Sequence, residues 1–556
     1  MVNIPGKSLL LTFLCTCFIA SASLQAQPLH GARSFSHQDT LRGTLSPQRT
    51  WWDVTKYEIT VQPDFDSKTI RGKNIISYSI TRQKHSDTAQ IDLQEPMVID
   101  SVFAGSTRTA YTRDGNAFFV YIPPQGNTTT GAITIYYHGH PREAVRPPWD
   151  GGWIWKLDDR DRPWMSVACQ GLGASVWYPC KDHQSDEPNQ GAVLNIIVPD
   201  SLVAVGNGRL KEKKKNDNGT TTWTWVVVNP INNYDIIPYI GKYVNFQETF
   251  MGEKGKLLCS YWVLDYNLDK AKEQFKQVPL MLKCFEYWMG PYPFYEDSYK
   301  LVEAPHLGME HQSATAYGNK YHNGYLGRDL SGTGWGLKWD FIIVHESGHE
   351  WFGNNITSKD VADMWVHEGF TNYSEALFTE CQYGKKAGQD YVIGTRKNIK
   401  NDIPIIGIYG VNQEGSGDMY YKSGNMLNTI RQVINDDEKF RQILRGLNKT
   451  FYHATVTTQE IEGYISIESG IDFSKVFDQY LRTTQIPVLE YKIVNDKTVA
   501  FRWTNCVKGF NLPLKIVDGE EQWIKPTEEW QTIHTGKPAG FTVDRNFYVN
   551  VKKVMD

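Results

Sequence analysis

The chain has 556 residues, of which 40% are hydrophobic and 22% charged, and its formal net charge is -4. These values are ordinary for a globular protein, and the chain is too long for a single hydrophobic core, so three or four domains are expected. The slightly acidic balance gives no reason to expect nucleic acid as a partner, because nucleic-acid-binding surfaces are basic.

Residues 1–26 have the pattern of a secretory signal peptide. Lys7 supplies the positive start, Ser8–Ala22 is apolar, and Ala26 ends a candidate cleavage site. An uncleaved membrane anchor is the alternative, although the run is shorter than the roughly 20 apolar residues of a membrane span. We therefore expect an exported protein, periplasmic or secreted, with no membrane span in its mature chain.

A polar leader, residues 27–48, precedes a region with the pattern of β structure, residues 49–252. Tyr57–Val61 and Ala132–Tyr136 alternate apolar and polar residues, and Trp223–Val228 follows an Asp-Asn-Gly turn signal. Alternation of this kind predicts strands with one buried face. An N-terminal antiparallel β domain is the prediction.

Residues 253–485 change to helical spacing, with apolar residues three and four apart. The predicted helices are Leu268–Met289, Leu337–Phe352, Thr371–Tyr383, Gly424–Asn435 and Thr458–Glu468. Short alternating segments return in residues 486–556 and predict a small C-terminal domain that resembles a β-sandwich. The expected fold class is therefore α+β with several domains.

Eight cysteines are present, of which Cys15 and Cys17 belong to the predicted signal. The other six are Cys169, Cys180, Cys259, Cys284, Cys381 and Cys506. An exported protein can form disulfides, but these spacings fix no pairing, and partly buried free thiols are an equal alternative. Since there is no C-x-x-C, a cysteine-based metal site is not expected.

His345-Glu346-Ser347-Gly348-His349 matches the pattern H-E-x-x-H inside a predicted helix. Residues four apart lie on the same helix face, so both imidazoles can reach one ion, and neutral imidazole is a preferred ligand of zinc. A random chain of this length would show the pattern roughly one time in fifty. The motif therefore predicts a zinc site.

Glu368 lies 19 positions after His349 and begins a predicted polar stripe with Asn372, Glu375 and Thr379. A polar stripe across from a metal-binding helix suits a third ligand and the residues that support it. Two histidines, a glutamate and one open position form a catalytic zinc set. Glu346 is then the candidate general base. No Ser-His-Asp or nucleophilic cysteine pattern competes, so the spacing predicts a zinc hydrolase.

These residues resemble the gluzincin aminopeptidases, the family of aminopeptidase N. That family has H-E-x-x-H, eighteen residues and Glu, and the flanking segments Trp351–Asn354 and Trp365–Phe370 agree with it. Further matches are Gly308-Met309-Glu310 with the exopeptidase motif G-A-M-E-N, Cys169–Asp182 with a substrate-binding strand segment, and Met419–Lys422 with Y-x-K-G. The similarity in motif order extends from Trp51 to about Arg482.

The resemblance implies a thermolysin-like catalytic domain with one zinc ion per chain, held by His345, His349 and Glu368. It implies that Glu310 and Gln170, with Gly308 and Met309 beside them, bind the free α-amino group of a peptide. Tyr420 would donate its hydroxyl to the oxyanion of the reaction, although the adjacent Tyr421 is the other candidate.

The chain departs from the family pattern at Leu307 and His311, which replace Gly and Asn of the exopeptidase motif. His367 replaces the usual Asn before the third ligand, and Ser423 replaces the Gly after Lys422. The chain also resembles a short form of the family, without the large helical C-terminal domain of many members. A more open cleft is therefore expected.

The predicted function is a zinc aminopeptidase that hydrolyses the N-terminal bond of peptides with zinc-activated water, Glu346 as base and Tyr420 at the oxyanion. A zinc endopeptidase is one alternative, and a non-catalytic peptide-binding protein of the same fold is the other. The expected partners are peptide substrates. The oligomeric state, a monomer included, and the preferred N-terminal residue are left open.

Overall fold

The structure is a computed structural model that describes residues 35–82, 86–124, 128–517 and 521–555. The predicted signal peptide lies outside the described residues. Within them, no helix combines the length and the apolar character needed to cross a membrane.

The N-terminal part of the chain forms three β-sheets. Its strands are β1 Trp52–Asp64, β2 Thr69–Ile80, β3 Thr88–Asp92, β4 Val98–Ala104, β5 Thr107–Arg108, β6 Tyr111–Asp114, β7 Ala117–Tyr121, β8 Thr130–Gly139, β9 Gly152–Leu157, β10 Pro163–Ala168, β11 Ala192–Pro199, β12 Val203–Val205, β13 Arg209–Lys215, β14 Thr220–Val227 and β15 Tyr239–Gly241. Among the described residues, the largest sheet has the strand order β13-β14-β11-β1-β2-β8-β4-β5. The smaller sheets are β3-β7-β6 and β12-β15-β10-β9.

Apolar and polar residues alternate along β1, and this alternation explains how the largest sheet buries one face. Tyr57, Ile59 and Val61 are fully buried, and the residues between them are partly exposed. Strand β1 pairs antiparallel with β2 and parallel with β11. The buried faces form the core of the N-terminal domain, as the alternating pattern predicts.

The polar leader contains a helix that sequence patterns did not predict. Helix α1 is His37–Gly43, and Ser36 and Asp39 form a capping box at its start. The fully buried Arg49 follows this helix and forms an ion pair with Asp92, with 2.5 Å between Nη2 and Oδ2. The leader therefore packs against the N-terminal domain from residue 36 onward.

The catalytic region combines a five-stranded mixed sheet and a two-stranded parallel sheet with helices. Its elements are β16 Tyr243–Gly252, β17 Gly255–Leu264, α2 Leu268–Gln274, α3 Gln277–Met289, β18 Tyr299–Glu303, β19 Gly308–Met309, β20 Thr315–Tyr317, α4 Phe341–Gly348, β21 Ile356–Ser358, α5 Trp365–Tyr383, α6 Lys385–Gly394, α7 Tyr421–Ile434, α8 Asp437–Thr450, β22 Ala454–Val456, α9 Thr458–Ser469 and α10 Ser474–Arg482. The strand order of the five-stranded sheet is β16-β17-β18-β20-β19, and β21 pairs with β22. Strand β19 is therefore at an edge of the sheet.

The β16–β17 hairpin belongs to the catalytic sheet, because β17 pairs in parallel with β18. The predicted boundary between residues 252 and 253 divides this hairpin at its turn. The alternation of β16 matches that of the preceding strands, so the sequence pattern does not reveal the change of sheet.

Two predicted helices are shorter than their apolar spacing indicated. Residues 268–289 form α2 and α3, which are separate because Pro279, without an N–H, fits only in the first turn of the second helix. Residues 337–352 contain α4, which starts where the Asp340 side chain caps Ile342 N, 3.1 Å away. A π-helical turn, Glu350–Asn354, follows α4, and its backbone leaves the helical conformation at Phe352 and Gly353, where φ is 129°.

The central helix, α5, begins six residues before the predicted Thr371, and Glu368 lies in its first turn. Helices α7 and α9 agree closely with the predictions. Helices α6, α8 and α10 were not predicted. A disulfide joins Cys284 on α3 to Cys381 on α5, while the described Cys169, Cys180, Cys259 and Cys506 are free thiols.

The C-terminal part forms two small sheets, β27-β24-β23-β29 and β26-β25-β28. The strands are β23 Val488–Asn495, β24 Thr498–Thr504, β25 Leu514–Val517, β26 Glu521–Ile524, β27 Gln531–His534, β28 Thr542–Val543 and β29 Asn550–Lys553. Their buried residues share one core with the catalytic helices. The predicted α+β fold class and the small C-terminal β region are confirmed.

Candidate metal centre

Helices α4 and α5 bring the predicted ligands together. Glu368 Oε2 lies 3.6 Å from His345 Nε2 and 3.4 Å from His349 Nε2. All three side chains are buried. An ion with bonds of about 2.1 Å, arranged tetrahedrally, separates its ligand atoms by about 3.4 Å. The spacing of the three atoms therefore fits one zinc ion.

The unpaired atoms of this group also fit a metal ion. Glu368 Oε2 is buried without a hydrogen-bond donor among the described residues. The Nδ1 atom of His345 lies 2.7 Å from Glu375 Oε1, and that of His349 lies 3.0 Å from the Phe352 carbonyl. Because each Nδ1 faces an acceptor, each Nε2 keeps a free lone pair that points toward Glu368.

Glu375 holds His345 in place from behind. Its Oε1 accepts a hydrogen bond from Asn372 Nδ2 at 3.1 Å, and its Oε2 accepts one from the Tyr391 hydroxyl at 2.6 Å. Both carboxylate oxygens are thus engaged, so the carboxylate cannot turn away from the imidazole. This agrees with the prediction that the polar stripe of α5 supports the metal ligands.

Glu346 lies beside the ligands and belongs, with His345 and His349, to a group whose ligand atoms are all within 4.8 Å of one another. Burial raises the pKa of Glu346 to about 7, although the two histidines act in the opposite direction. Gly308 on β19 lets the strand lie against this carboxylate, because a Cβ there would be 2.6 Å from Glu346 Oε1.

Glu310 and Gln170 meet, although they are 140 residues apart. Gln170 Nε2 donates to Glu310 Oε1, which also accepts a hydrogen bond of 3.0 Å from the Tyr234 hydroxyl. Asn354 Nδ2 donates to the Glu310 carbonyl at 2.7 Å and holds the backbone after β19. Tyr234 and Glu310 are buried and Gln170 is half-buried, and we call these three residues, which line or adjoin the cleft of the metal ligands, the amine cluster.

Tyr420 and Tyr421 both line the cleft, but their surroundings differ. The Tyr420 ring stacks with that of His345 at a centroid distance of 6.0 Å. The ionisable groups that raise the pKa of Tyr420, after burial, include Glu368 and Glu310, whereas those that act on Tyr421 are Glu375 and Tyr325. Tyr420 is therefore the tyrosine nearer to the metal group, while its role at the oxyanion stays a prediction.

The residues that depart from the family pattern are accommodated by local contacts. His311 Nδ1 lies 2.5 Å from the Tyr239 hydroxyl, and His367 Nε2 accepts a hydrogen bond of 2.8 Å from Ser358 N. Burial lowers the pKa of His367 to about 3. Leu307 is buried at the cleft wall. Ser423 packs on Gly369, where a Cβ would be 2.6 Å from the Ser423 Cβ.

The cleft contains two further polar residues that sequence reasoning missed. Tyr234 has no motif around it, and it reaches Glu310 from 76 positions away. Glu414 lies among the cleft-lining residues in an irregular segment before Tyr420. A signal for Glu414 was present, because an acidic residue six positions before the predicted oxyanion tyrosine is close enough in sequence to share its wall.

Comparison with known proteins identifies the two main domains. Residues 54–234 match the Peptidase M1 N-terminal domain, and residues 276–480 match the Peptidase family M1 domain. Leukotriene A-4 hydrolase of Xenopus laevis is 23% identical over 322 residues, which are 54% of this chain and 49% of that protein. Human aminopeptidase B is 25% identical over 228 residues, 40% of this chain and 31% of that protein.

A third relative is aminopeptidase N of Lactobacillus helveticus, 24% identical over 259 residues, 42% of this chain and 28% of that protein. The chain thus spans about half or less of the length of these curated relatives.

The fold of an M1 zinc metallopeptidase from Deinococcus radiodurans is similar, with a TM-score of 0.66 and 20% identity over 79% of this chain and 95% of that one. The same holds for a mutant of that metallopeptidase bound to a Tyr-Ser-Ala substrate, with a TM-score of 0.66 and 20% identity over 78% and 95%. The two matched domains together cover well over half of this sequence. The chain therefore belongs to peptidase family M1.

Proposed function

We propose that the protein is a zinc aminopeptidase that removes single residues from the N-termini of peptides. The observation that carries the proposal is the amine cluster beside the metal ligands. A buried carboxylate that already accepts two hydrogen bonds is a strong receptor for an ammonium group, because charge-assisted bonds are strongest away from water. An endopeptidase has no use for a cation receptor at this position.

The residues around the metal group have separate tasks in this reaction. Zinc, when bound, supplies a water of lowered pKa and polarises the scissile carbonyl. Glu346 accepts the proton of the attacking water and delivers it to the leaving amine. The Tyr420 hydroxyl donates a hydrogen bond to the oxyanion, and the edge strand β19 aligns the peptide backbone. The amine cluster limits the cut to the first peptide bond.

Paired peptides that differ only at the N-terminus test the proposal. A free tripeptide and its N-acetylated form are incubated with the protein, with and without a chelator, and products are measured by mass spectrometry. We expect release of the first residue from the free peptide only, loss of release with chelator, and recovery when zinc is added. Equal cleavage of the acetylated peptide would favour the endopeptidase.

Glu346→Gln separates catalysis from metal binding. We expect this variant to retain one zinc per chain, measured by elemental analysis, and to lose turnover by about 100- to 10,000-fold. Wild-type protein that binds zinc and peptide but releases no residue would favour the peptide-binding alternative.

The exported location is also part of the proposal. It is supported by the pattern of residues 1–26 and by the disulfide between Cys284 and Cys381, since disulfides persist in oxidising compartments. N-terminal sequencing of the protein from its native host tests it. We expect the mature chain to begin near residue 27; a chain that retains Lys7 would contradict cleavage.

A further inference from the structure

Glu414 is a cleft residue to which the proposed reaction gives no task. Its Oε2 is buried and has no hydrogen-bond partner among the described residues. The side chain lies on the cleft wall with Gln170, Gly171 and Tyr420. Burial of a carboxyl oxygen without a partner is unfavourable, so a partner supplied by a ligand would stabilise it.

The charges of the cleft indicate the sign of that partner. Among the described residues that line the cleft are Glu310, Glu346, Glu368, Glu375 and Glu414, and no lysine or arginine. In the proposed function, Glu310 is the amine receptor, Glu346 is the base and Glu368 is a metal ligand. Glu375 is hydrogen-bonded to His345. Only Glu414 is then without a cation or a donor, which favours a second positive charge on the substrate.

The segment that carries Glu414 is fixed next to the amine cluster. Asn412 Nδ2 lies 3.5 Å from the carbonyl of Gly171, the neighbour of Gln170 in sequence. On its outer side, Thr44 of the leader donates a hydrogen bond of 3.0 Å to the Gly410 carbonyl. At its end, Ser416 N donates to the Pro404 carbonyl at 2.9 Å. Glu414 is therefore held on the side of the cleft where the amine cluster lies.

The side chain of the first residue of a peptide branches from the carbon that bears the α-amino group. Gly171, the neighbour of Gln170, contacts Asn412 in the segment of Glu414, and all three of Gln170, Gly171 and Glu414 line one cleft, so a long side chain that extends from an amine held there has Glu414 within its reach. We propose, on the basis of the proposed function, that Glu414 is a specificity-determining residue that selects peptides beginning with lysine or arginine.

Burial first, and then Glu368 and Glu310, raise the pKa of Glu414 to about 8, so the ionised form prevails near neutral pH only when a basic partner lies beside it. A basic side chain beside the carboxyl group stabilises its ionised form, whereas an apolar side chain leaves the group without a partner. Substrates with neutral first residues therefore gain nothing from Glu414.

The test is a comparison of kcat/KM for the p-nitroanilides of arginine, lysine, leucine and methionine, with wild type and Glu414→Gln. The substitution keeps the shape of the side chain and removes its charge. We expect kcat/KM to fall about 10- to 100-fold for arginine and lysine and less than about 3-fold for leucine and methionine. Glu212→Gln, on the exposed strand β13, is the matched control and should change none of the four.

Several outcomes would overturn the inference. One is an equal loss for basic and apolar substrates, and another is a wild-type enzyme that prefers leucine or methionine to arginine. Calorimetric binding of free L-arginine and L-leucine to the zinc-loaded protein gives a readout without turnover, and Glu414→Gln should weaken only the arginine. If wild type hydrolyses none of the four substrates, the proposed function fails; if it hydrolyses them and Glu414→Gln leaves their ratios unchanged, only the present inference fails.

Discussion

In the proposed function, Glu310 is the residue on which exopeptidase action depends. Replacing it by Gln keeps the hydrogen-bonding shape but removes the negative charge opposite the substrate ammonium. We expect KM for free peptides to rise about 10- to 100-fold, since hydrogen bonds to charged groups contribute about 1.5–3 kcal/mol. Steady-state kinetics with free peptides measure the effect, and N-acetylated peptides, used as inhibitors because they are not cleaved, should lose much less affinity.

Tyr234→Phe is the matched control for Glu310. It removes one neutral donor to the carboxylate while the charge remains. A rise in KM of only a few-fold is expected for this variant. If Glu310→Gln has no larger effect than Tyr234→Phe, the carboxylate is not the amine receptor.

Tyr420 and Tyr421 provide a second comparison of single residues. Tyr420→Phe removes the hydroxyl nearer to the metal group, and we expect kcat to fall about 100- to 1000-fold with little change in KM, because this hydrogen bond is made mainly in the transition state. Tyr421→Phe should leave kcat within a few-fold of wild type. The reverse result in the same assay would assign the oxyanion to Tyr421.

The residues of the site differ in how well the sequence predicts their positions. The histidines and Glu368 are close in sequence and on adjacent helices, so spacing alone predicts that they share an ion. Gln170 and Glu310 meet through the contact of two domains, and only the family resemblance implied it. Tyr234 lies in a short 3-10 turn and Glu414 in an irregular segment. Apart from the nearness of Glu414 to Tyr420 in sequence, no local pattern specifies their positions, because the paths of such segments depend on long-range packing.

At the scale of elements, helices α5 and α7 approach closely because small residues line their contact. A Cβ at Gly424 on α7 would lie 2.3 Å from Asn372 Oδ1 on α5. Asn372 in turn donates to Glu375, which orients His345. The packing of these two helices is thus connected to the geometry of the metal ligands.

Gly424→Ala should therefore destabilise the protein by about 1–3 kcal/mol through overpacking and lower its affinity for zinc. Gly463→Ala on α9 is the matched control, since a Cβ there has no neighbour within 4 Å. It should stabilise the protein by about 0.5–1 kcal/mol through helix propensity. Urea unfolding and zinc titration measure both variants, and similar effects of the two would contradict a close helix contact.

Sequence patterns predict that a helix or strand is present better than they predict where it begins and ends. The apolar spacing of residues 337–352 continues before α4, where Asp340 caps the start of the helix, and past α4 into a π-helical turn that Phe352 and Gly353 distort. The β16–β17 hairpin has the alternation of the strands before it, yet it pairs with β18 of the catalytic sheet. Side-chain caps and strand pairing depend on tertiary structure, so the periodicity of apolar residues does not predict them.

At the scale of the whole molecule, His183 connects the N-terminal domain to the leader. Its Nε2 lies 3.2 Å from the Gly43 carbonyl, and its Nδ1 lies 2.8 Å from Ser185 Oγ. Burial, with Arg49 nearby, lowers the pKa of His183 to about 3. The folded protein therefore holds this histidine in its neutral form.

This neutral histidine makes stability depend on pH. The unfolded chain takes up a proton near pH 6.5, whereas the folded chain resists it until about pH 3. The contribution is complete above pH 6.5 and is lost as the pH falls, by about 2 kcal/mol at pH 5. Urea unfolding at pH 7.5 and at pH 5 measures this effect. Between these two pH values, the free energy of unfolding should fall by about 2 kcal/mol less for His183→Gln than for wild type. An identical pH dependence for both proteins would show that His183 is protonated in the fold.

The leader has a practical consequence for how the enzyme can be shortened. Arg49 pairs with Asp92 beneath the surface of the N-terminal domain, and the partly exposed Arg42 lies 3.4 Å from the buried Asp182. A polypeptide trimmed to begin at Trp51 would leave these two carboxylates buried without cations, which costs about 3–5 kcal/mol for a broken buried pair. It would also release the outer support of residues 410–412. Residues 36–50 are thus an integral part of the folded enzyme, and affinity tags belong upstream of them.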